Sequence, residues 1–115
     1  MIADKLKELG EYAEELDKEK PGELLENYMK QIAGELRRLP EEQLILGNKF
    51  RNDIVRIVND YIKKGTLNSV ISYHLLNVLV SYVKLSLIEN KANLFGIDRK
   101  LYKQEMNFLF KGKWK

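Results

Sequence analysis

The stretch Asn68-Ser69-Val70-Ile71-Ser72-Tyr73-His74-Leu75-Leu76-Asn77-Val78-Leu79-Val80-Ser81-Tyr82-Val83-Lys84-Leu85-Ser86-Leu87-Ile88-Glu89-Asn90 decides the fold. At the helical repeat its valines, isoleucines and leucines cover most of the circumference. The gaps are small and polar (Ser69, Ser72, Asn77, Ser81), with Lys84 added. The density of β-branched residues also allows a strand over residues 78–83. A run of about 20 residues without a breaker favours a helix. A helix apolar nearly all round belongs at the centre of a bundle or inside an oligomer. Thr66 or Asn68 is its expected cap, and Asn90 its approximate end.

Working outward, both prolines, Pro21 and Pro40, sit where a helical pattern pauses. From Ile2 to Lys18 the apolar residues Ile2, Leu6, Leu9, Ala13 and Leu16 step by four and three, one stripe of an amphipathic helix. Lys20-Pro21-Gly22 breaks it, and a second helix follows with Leu24, Leu25, Tyr28, Ile32 and Leu36 on one face. Gly34 is a weak point there that allows another backbone to approach closely. Arg37 and Arg38 are expected in its last turn, at the negative end of the helix dipole. Pro40-Glu41-Glu42 reads as the first turn of a third helix, because proline lacks an amide that this turn leaves unpaired anyway. Its apolar positions run through Phe50, Ile54, Val58 and Ile62, and Gly47-Asn48 is expected to split off a short leading turn. Lys63-Lys64-Gly65 stops it. Beyond the decisive helix, Asp98 caps an expected fifth helix holding Leu101, Tyr102, Met106 and Leu109.

The expected fold class is therefore all-α, a single-domain helical bundle of four to five helices around a central, very apolar fourth helix. The bundle spans residues 1–98, and residues 99–115 form a basic, aromatic C-terminal helix or tail. The length of 115 residues suits one domain with one core.

Composition subtracts chemistry. There is no cysteine and one histidine, His74, which removes thiol nucleophiles, disulfides and zinc ribbons. The neighbours of His74 at helical spacing are Val70, Ile71, Asn77 and Val78, so no metal ligand or orienting acid stands beside it. It reads as a core or interface histidine. The acids of the first helix (Glu11, Glu14, Glu15, Asp17) fall on its polar face, and no Glu-x-x-His pair of a di-metal bundle occurs. No catalytic residue, cofactor or metal is expected. The start Met1-Ile2-Ala3-Asp4-Lys5 has no signal-peptide core, and no stretch approaches the roughly 20 apolar residues of a spanning helix. A cytoplasmic protein with no membrane partner is the expectation.

Charge is divided. Residues 1–42 carry 12 acids and 7 bases, a balance of −5, while residues 43–115 carry 5 acids and 13 bases, or +8. Together they give the net +3. Such asymmetry marks a nucleic-acid or acidic-partner surface, or else acidic first helices that neutralise basic last ones. Lys49, Arg56 and Lys63 recur every seven residues, with Lys64 beside them, as a phosphate track would require. Asp53 and Asp60 interleave with them, as in a solvent-exposed ladder of ion pairs. At the C-terminus Arg99, Lys100, Lys111, Lys113 and Lys115 accompany Trp114, a mixture that suits single-stranded nucleic acid.

Lys103-Gln104-Glu105-Met106-Asn107-Phe108-Leu109-Phe110 faintly resembles the sliding-clamp-binding peptides of replication and repair proteins. Lys103 stands where those peptides have glutamine, Met106 is the aliphatic plug, and Leu109-Phe110 takes the place of the aromatic pair. Lys103 and Leu109 depart from the pattern, which covers eight of the 115 residues. The resemblance implies docking of this peptide on a protein partner. Alternatively Met106, Leu109 and Phe110 simply dock the last helix on the bundle. The functional expectation is a non-catalytic helical interaction module, a small subunit or adaptor in a nucleic-acid-handling assembly. Self-association through the fourth helix is its corollary. The alternative is direct, sequence-independent nucleic-acid binding.

Overall fold

The computed structural model describes residues 2–98 and Lys100. Four helices account for most of them: α1 (Ile2–Lys18), α2 (Pro21–Leu36), α3 (Glu41–Lys63) and α4 (Asn68–Leu94). Among the described residues there is no strand. The fold is all-α.

The helix boundaries follow from local chemistry. Pro21 is the first residue of α2, and the Lys20 carbonyl accepts from the Leu24 amide at 3.0 Å. Proline serves there because its missing amide has no partner to lose. Pro40 does not repeat this role. It is the residue before α3, with extended backbone (φ −62°, ψ 153°), and its carbonyl accepts from Gln43 and Leu44. Arg37 and Arg38 follow the last residue of α2 rather than filling its last turn. The expected break at Gly47-Asn48 is absent, and α3 runs unbroken for 23 residues. A single glycine costs a helix only about 1 kcal/mol, too little to end it without a capping partner.

Both C-terminal stops are built alike. At α3 the Gly65 amide donates to the Ile62 carbonyl and the Thr66 amide to the Tyr61 carbonyl, each at 3.0 Å. At α4 the Gly96 amide donates to Asn93 (3.1 Å) and the Ile97 amide to Ala92 (3.0 Å). These are the paired bonds of a Schellman motif, and Gly65 (φ 89°) and Gly96 (φ 69°) supply the left-handed residue each requires. The second motif carries α4 past the expected Asn90. Its start also differs, since Leu67, not Thr66 or Asn68, precedes the first turn and accepts from Val70 and Ile71.

The chain divides into two compact units: one from residues up to Asn27 and from Val78 on, the other Tyr28–Asn77. In the first, α1, the start of α2 and the second half of α4 share a core. Leu9, Ala13 and Leu16 are the buried stripe of α1, as their spacing predicts. Leu24 joins them from α2, and Val80, Val83, Leu87, Ile88 and Ala92 from α4. Burial of each large member contributes roughly 1.5–3 kcal/mol. Ile97 is also buried, beside the Ala92 carbonyl that its amide reaches, so the stop of α4 belongs to this core.

Three polar contacts tie α1 to α4 in antiparallel order. The Lys84 ammonium donates to Asp17 Oδ1 at 2.9 Å. The Lys91 ammonium lies 4.3 Å over the Tyr12 ring. Lys5 Nζ donates to the Phe95 carbonyl at 3.3 Å, meeting one of the acceptors a helix end leaves open. Sequence reading counts Lys84 among the polar gaps of α4. It lies in the buried stripe of α4, only 8% exposed. The spacing 80, 84, 88 contains that signal, and only the acid on α1 makes it acceptable.

The second unit is different. Among its described residues none is buried, although Tyr28, Ile32, Ile54, Val58 and Ile71 are partly covered. The first half of α4 is therefore not a bundle centre, and the expected central helix is one along only part of its length. His74 is exposed, so of the expected core or interface histidine the core alternative does not hold, and its ring meets Tyr73 edge-on at 5.3 Å. Gly34 has nothing within 4 Å of where a β-carbon would sit, so among the described residues no other part of the chain makes the expected close approach.

Candidate interaction surface

The surface that needs explanation lies on α3 and the first half of α4. On a helical projection of α3, Ile54 and Val58 mark the middle of an apolar half-ring. Leu46, Phe50, Ile57 and Tyr61 flank it on one side, and Leu44, Val55 and Ile62 on the other. Only Ile54 and Val58 are partly covered; the flanks stay open, with Phe50 at 67%. On α4, Val70, Tyr73, Leu75 and Leu76 are likewise exposed, Tyr73 at 63%. From Gly65 to Val83 the sequence contains no Asp, Glu, Lys or Arg. Of the 19 large apolar residues exposed among those described, 15 belong to this unit. A soluble monomer rarely shows a contiguous apolar patch beyond a few hundred Å².

The opposite half of α3 is polar. Lys49, Arg56 and Lys63 share one face there, and all are exposed. Arg56 Nη2 pairs with Asp53 Oδ1 at 2.9 Å, one ion pair at spacing three where the alternation points to pairs at spacing four. The Lys64 ammonium sits 4.5 Å over the Tyr61 ring. Helix α3 carries four acids and four bases; its polar face is mixed in sign, with four acids against three bases, because Arg51 falls on the apolar side near Val58.

At the C-terminal end, Asp98 Oδ1 accepts from the Lys100 amide at 3.1 Å, the bond expected of a helix cap. Lys100 is exposed. Arg99 and the remaining tail residues Lys103, Met106, Leu109, Phe110, Lys111, Lys113, Trp114 and Lys115 lie outside the described residues, as does the expected fifth helix.

Other chemistry is sparse. Among the described residues no three His, Asp or Glu side chains gather as a metal-ligating group. An open depression of about 780 Å³ lies at the α2–α3 corner, lined by Gly34, Glu35, Arg38, Leu39, Pro40 and Gln43. Tyr12 has its pKa raised above the ordinary 10.0, first by burial and then by the nearby Glu19 and Glu15. Helix α4 corrects one expectation from sequence: its 27 residues are long and apolar enough to cross a membrane by length and composition. Individual serines and asparagines hid this, because they dilute the run without making it polar.

Fold and surface together define a small all-α chain with one closed core and one open apolar face. No known family model, curated protein or solved structure matches it.

Proposed function

We propose that this protein is a non-catalytic helical interaction module, whose apolar face on α3 and the first half of α4 is covered by another polypeptide. One observation carries the reading: the unit Tyr28–Asn77 holds 15 exposed large apolar residues and, among its described residues, no buried one. Apolar side chains held half in water leave stabilisation unused, at roughly 25 cal/mol for each Å² that a partner could cover.

A photo-crosslinking amino acid such as p-benzoylphenylalanine tests this when placed in the full chain at position 50, 73 or 49. Positions 50 and 73 are expected to give a polypeptide adduct in cells, and position 49, on the charged face, none. No adduct at either apolar position overturns the reading.

Direct nucleic-acid binding is the second reading, supported by the +8 balance of residues 43–115 and by the exposed Lys49, Arg56, Lys63 and Lys64. It expects an affinity for single-stranded DNA that falls steeply with salt, as phosphate contacts release condensed counterions. An anisotropy titration at low salt that detects no binding removes it. Docking through Lys103, Met106, Leu109 and Phe110 on a replication clamp stays a proposal of the sequence alone.

A further inference from the structure

We propose that the occupant of the apolar face is a second copy of this chain, so that α3 and the first half of α4 from two protomers complete one shared core. The proposal rests on the interaction-module reading and specifies its partner.

Area is the first argument. The large apolar residues between Leu44 and Leu76 are about half exposed, and each leaves on the order of 100 Å² in contact with water. Summed over both flanks of α3 and all sides of the first half of α4, this is on the order of 1,000 Å² of apolar surface per protomer, of the size a stable interface takes from each side, about 800 Å². Composition is the second. The charge-free run from Gly65 to Val83 and the exposed Phe50, Tyr61 and Tyr73 match an interface core, depleted in charge and enriched in aromatics.

Self-complementarity is the third argument. A two-fold interface places the same patch against itself, so a strongly one-signed rim would repel its own copy. The rim here is the polar half of α3, where four acids (Glu41, Glu42, Asp53, Asp60) meet three bases (Lys49, Arg56, Lys63), and Arg51 adds a fourth base within the apolar half-ring. The same balance argues against a lipid surface, because interfacial helices line their polar face with Lys and Arg. A transmembrane role for α4 would also carry Lys84 into hydrocarbon and part it from Asp17, 2.9 Å away.

Sedimentation equilibrium on the full chain tests the proposal, using wild type and the variants Phe50→Lys, Tyr73→Lys and Leu94→Lys. The first two residues are 67% and 63% exposed, so lysine there leaves each protomer's own packing intact. Leu94 is 86% exposed and lies in the other unit, which makes it the matched control. Wild type and Leu94→Lys are expected to be dimers. Phe50→Lys and Tyr73→Lys are expected to raise the dimer dissociation constant at least about tenfold with unchanged helical circular dichroism.

A wild-type monomer throughout the micromolar range overturns the proposal. Loss of association in Leu94→Lys to the same extent as in the others also overturns it, as does flotation of the monomer with phosphatidylcholine–phosphatidylglycerol vesicles. A monomer that still gives a position-50 crosslink to a different protein overturns the second copy and leaves the interaction module standing.

Discussion

At the scale of single residues, Lys84 shows how one contact changes the meaning of a side chain. A lysine in a buried stripe is tolerated because Asp17 accepts from its ammonium, but the pair need not add stability over an apolar substitute. Lys84→Met is accordingly expected to be nearly neutral or stabilising. Asp17→Asn leaves the ammonium facing a weaker acceptor, at an expected cost of roughly 1–3 kcal/mol, below the range for fully buried pairs because Asp17 is 38% exposed. Urea denaturation of the two variants separates these outcomes, and equal losses would contradict the asymmetry. Tyr12 gives a second residue-scale prediction. Its folded pKa lies above the unfolded value, so the folded state holds the phenolic proton more tightly. That contribution is complete below pH ~10 and fades as pH rises through the folded pKa. Melting temperatures measured from pH 9 upward should therefore fall less steeply in Tyr12→Phe than in wild type.

At the scale of elements, the two glycine stops and the glycine within a helix make opposite predictions. Gly65 has a φ of 89°, with nothing within 4 Å of a built β-carbon, so Gly65→Ala pays only for the left-handed backbone. The expected loss is about 1–2 kcal/mol. Gly34 lies inside α2, equally open, and Gly34→Ala is expected to gain about 0.5–1 kcal/mol. Chemical denaturation of the pair checks both signs. The same contrast explains what could be read at this scale. Gly65 was legible as a stop because basic residues and the end of the apolar pattern coincide with it. Gly47 looked similar in sequence, yet the i to i+4 bonds on either side persist, and the helix continues. The stop at Gly96 went unread because polar Asn90 and Asn93 resemble an end before the glycine is reached. The stripes of α1 and α2 were legible outright, since a four-three spacing of leucines has one helical solution.

At the scale of the whole molecule, one unit encloses a buried apolar core and the other, among its described residues, buries none. If two copies share the second unit's face, folding is coupled to association and stability follows protein concentration. The thermal midpoint of wild type is expected to climb with concentration, and that of Phe50→Lys to stay level. Scanning calorimetry at two concentrations far apart shows which holds. The surface itself was half legible. An apolar fourth helix announced either a bundle centre or an oligomer, and periodicity alone cannot separate the two. The charged candidates Lys49, Arg56 and Lys63 were correctly placed on one exposed face of α3, but their pairing with acids was readable only as an alternation.

The amino-acid order determined that this chain is helical, where most of its turns fall, and which faces of α1 and α2 are apolar. These are consequences of spacing, and spacing acts over a few residues. Only the tertiary structure decided which apolar residues are buried. Leu87 and Val70 look alike within the same helix, and one is enclosed by α1 while the other faces solvent. Burial depends on what arrives from distant positions in the chain, and α1 shares a compact unit with the second half of α4. The exposed first half is the part for which a partner must be sought.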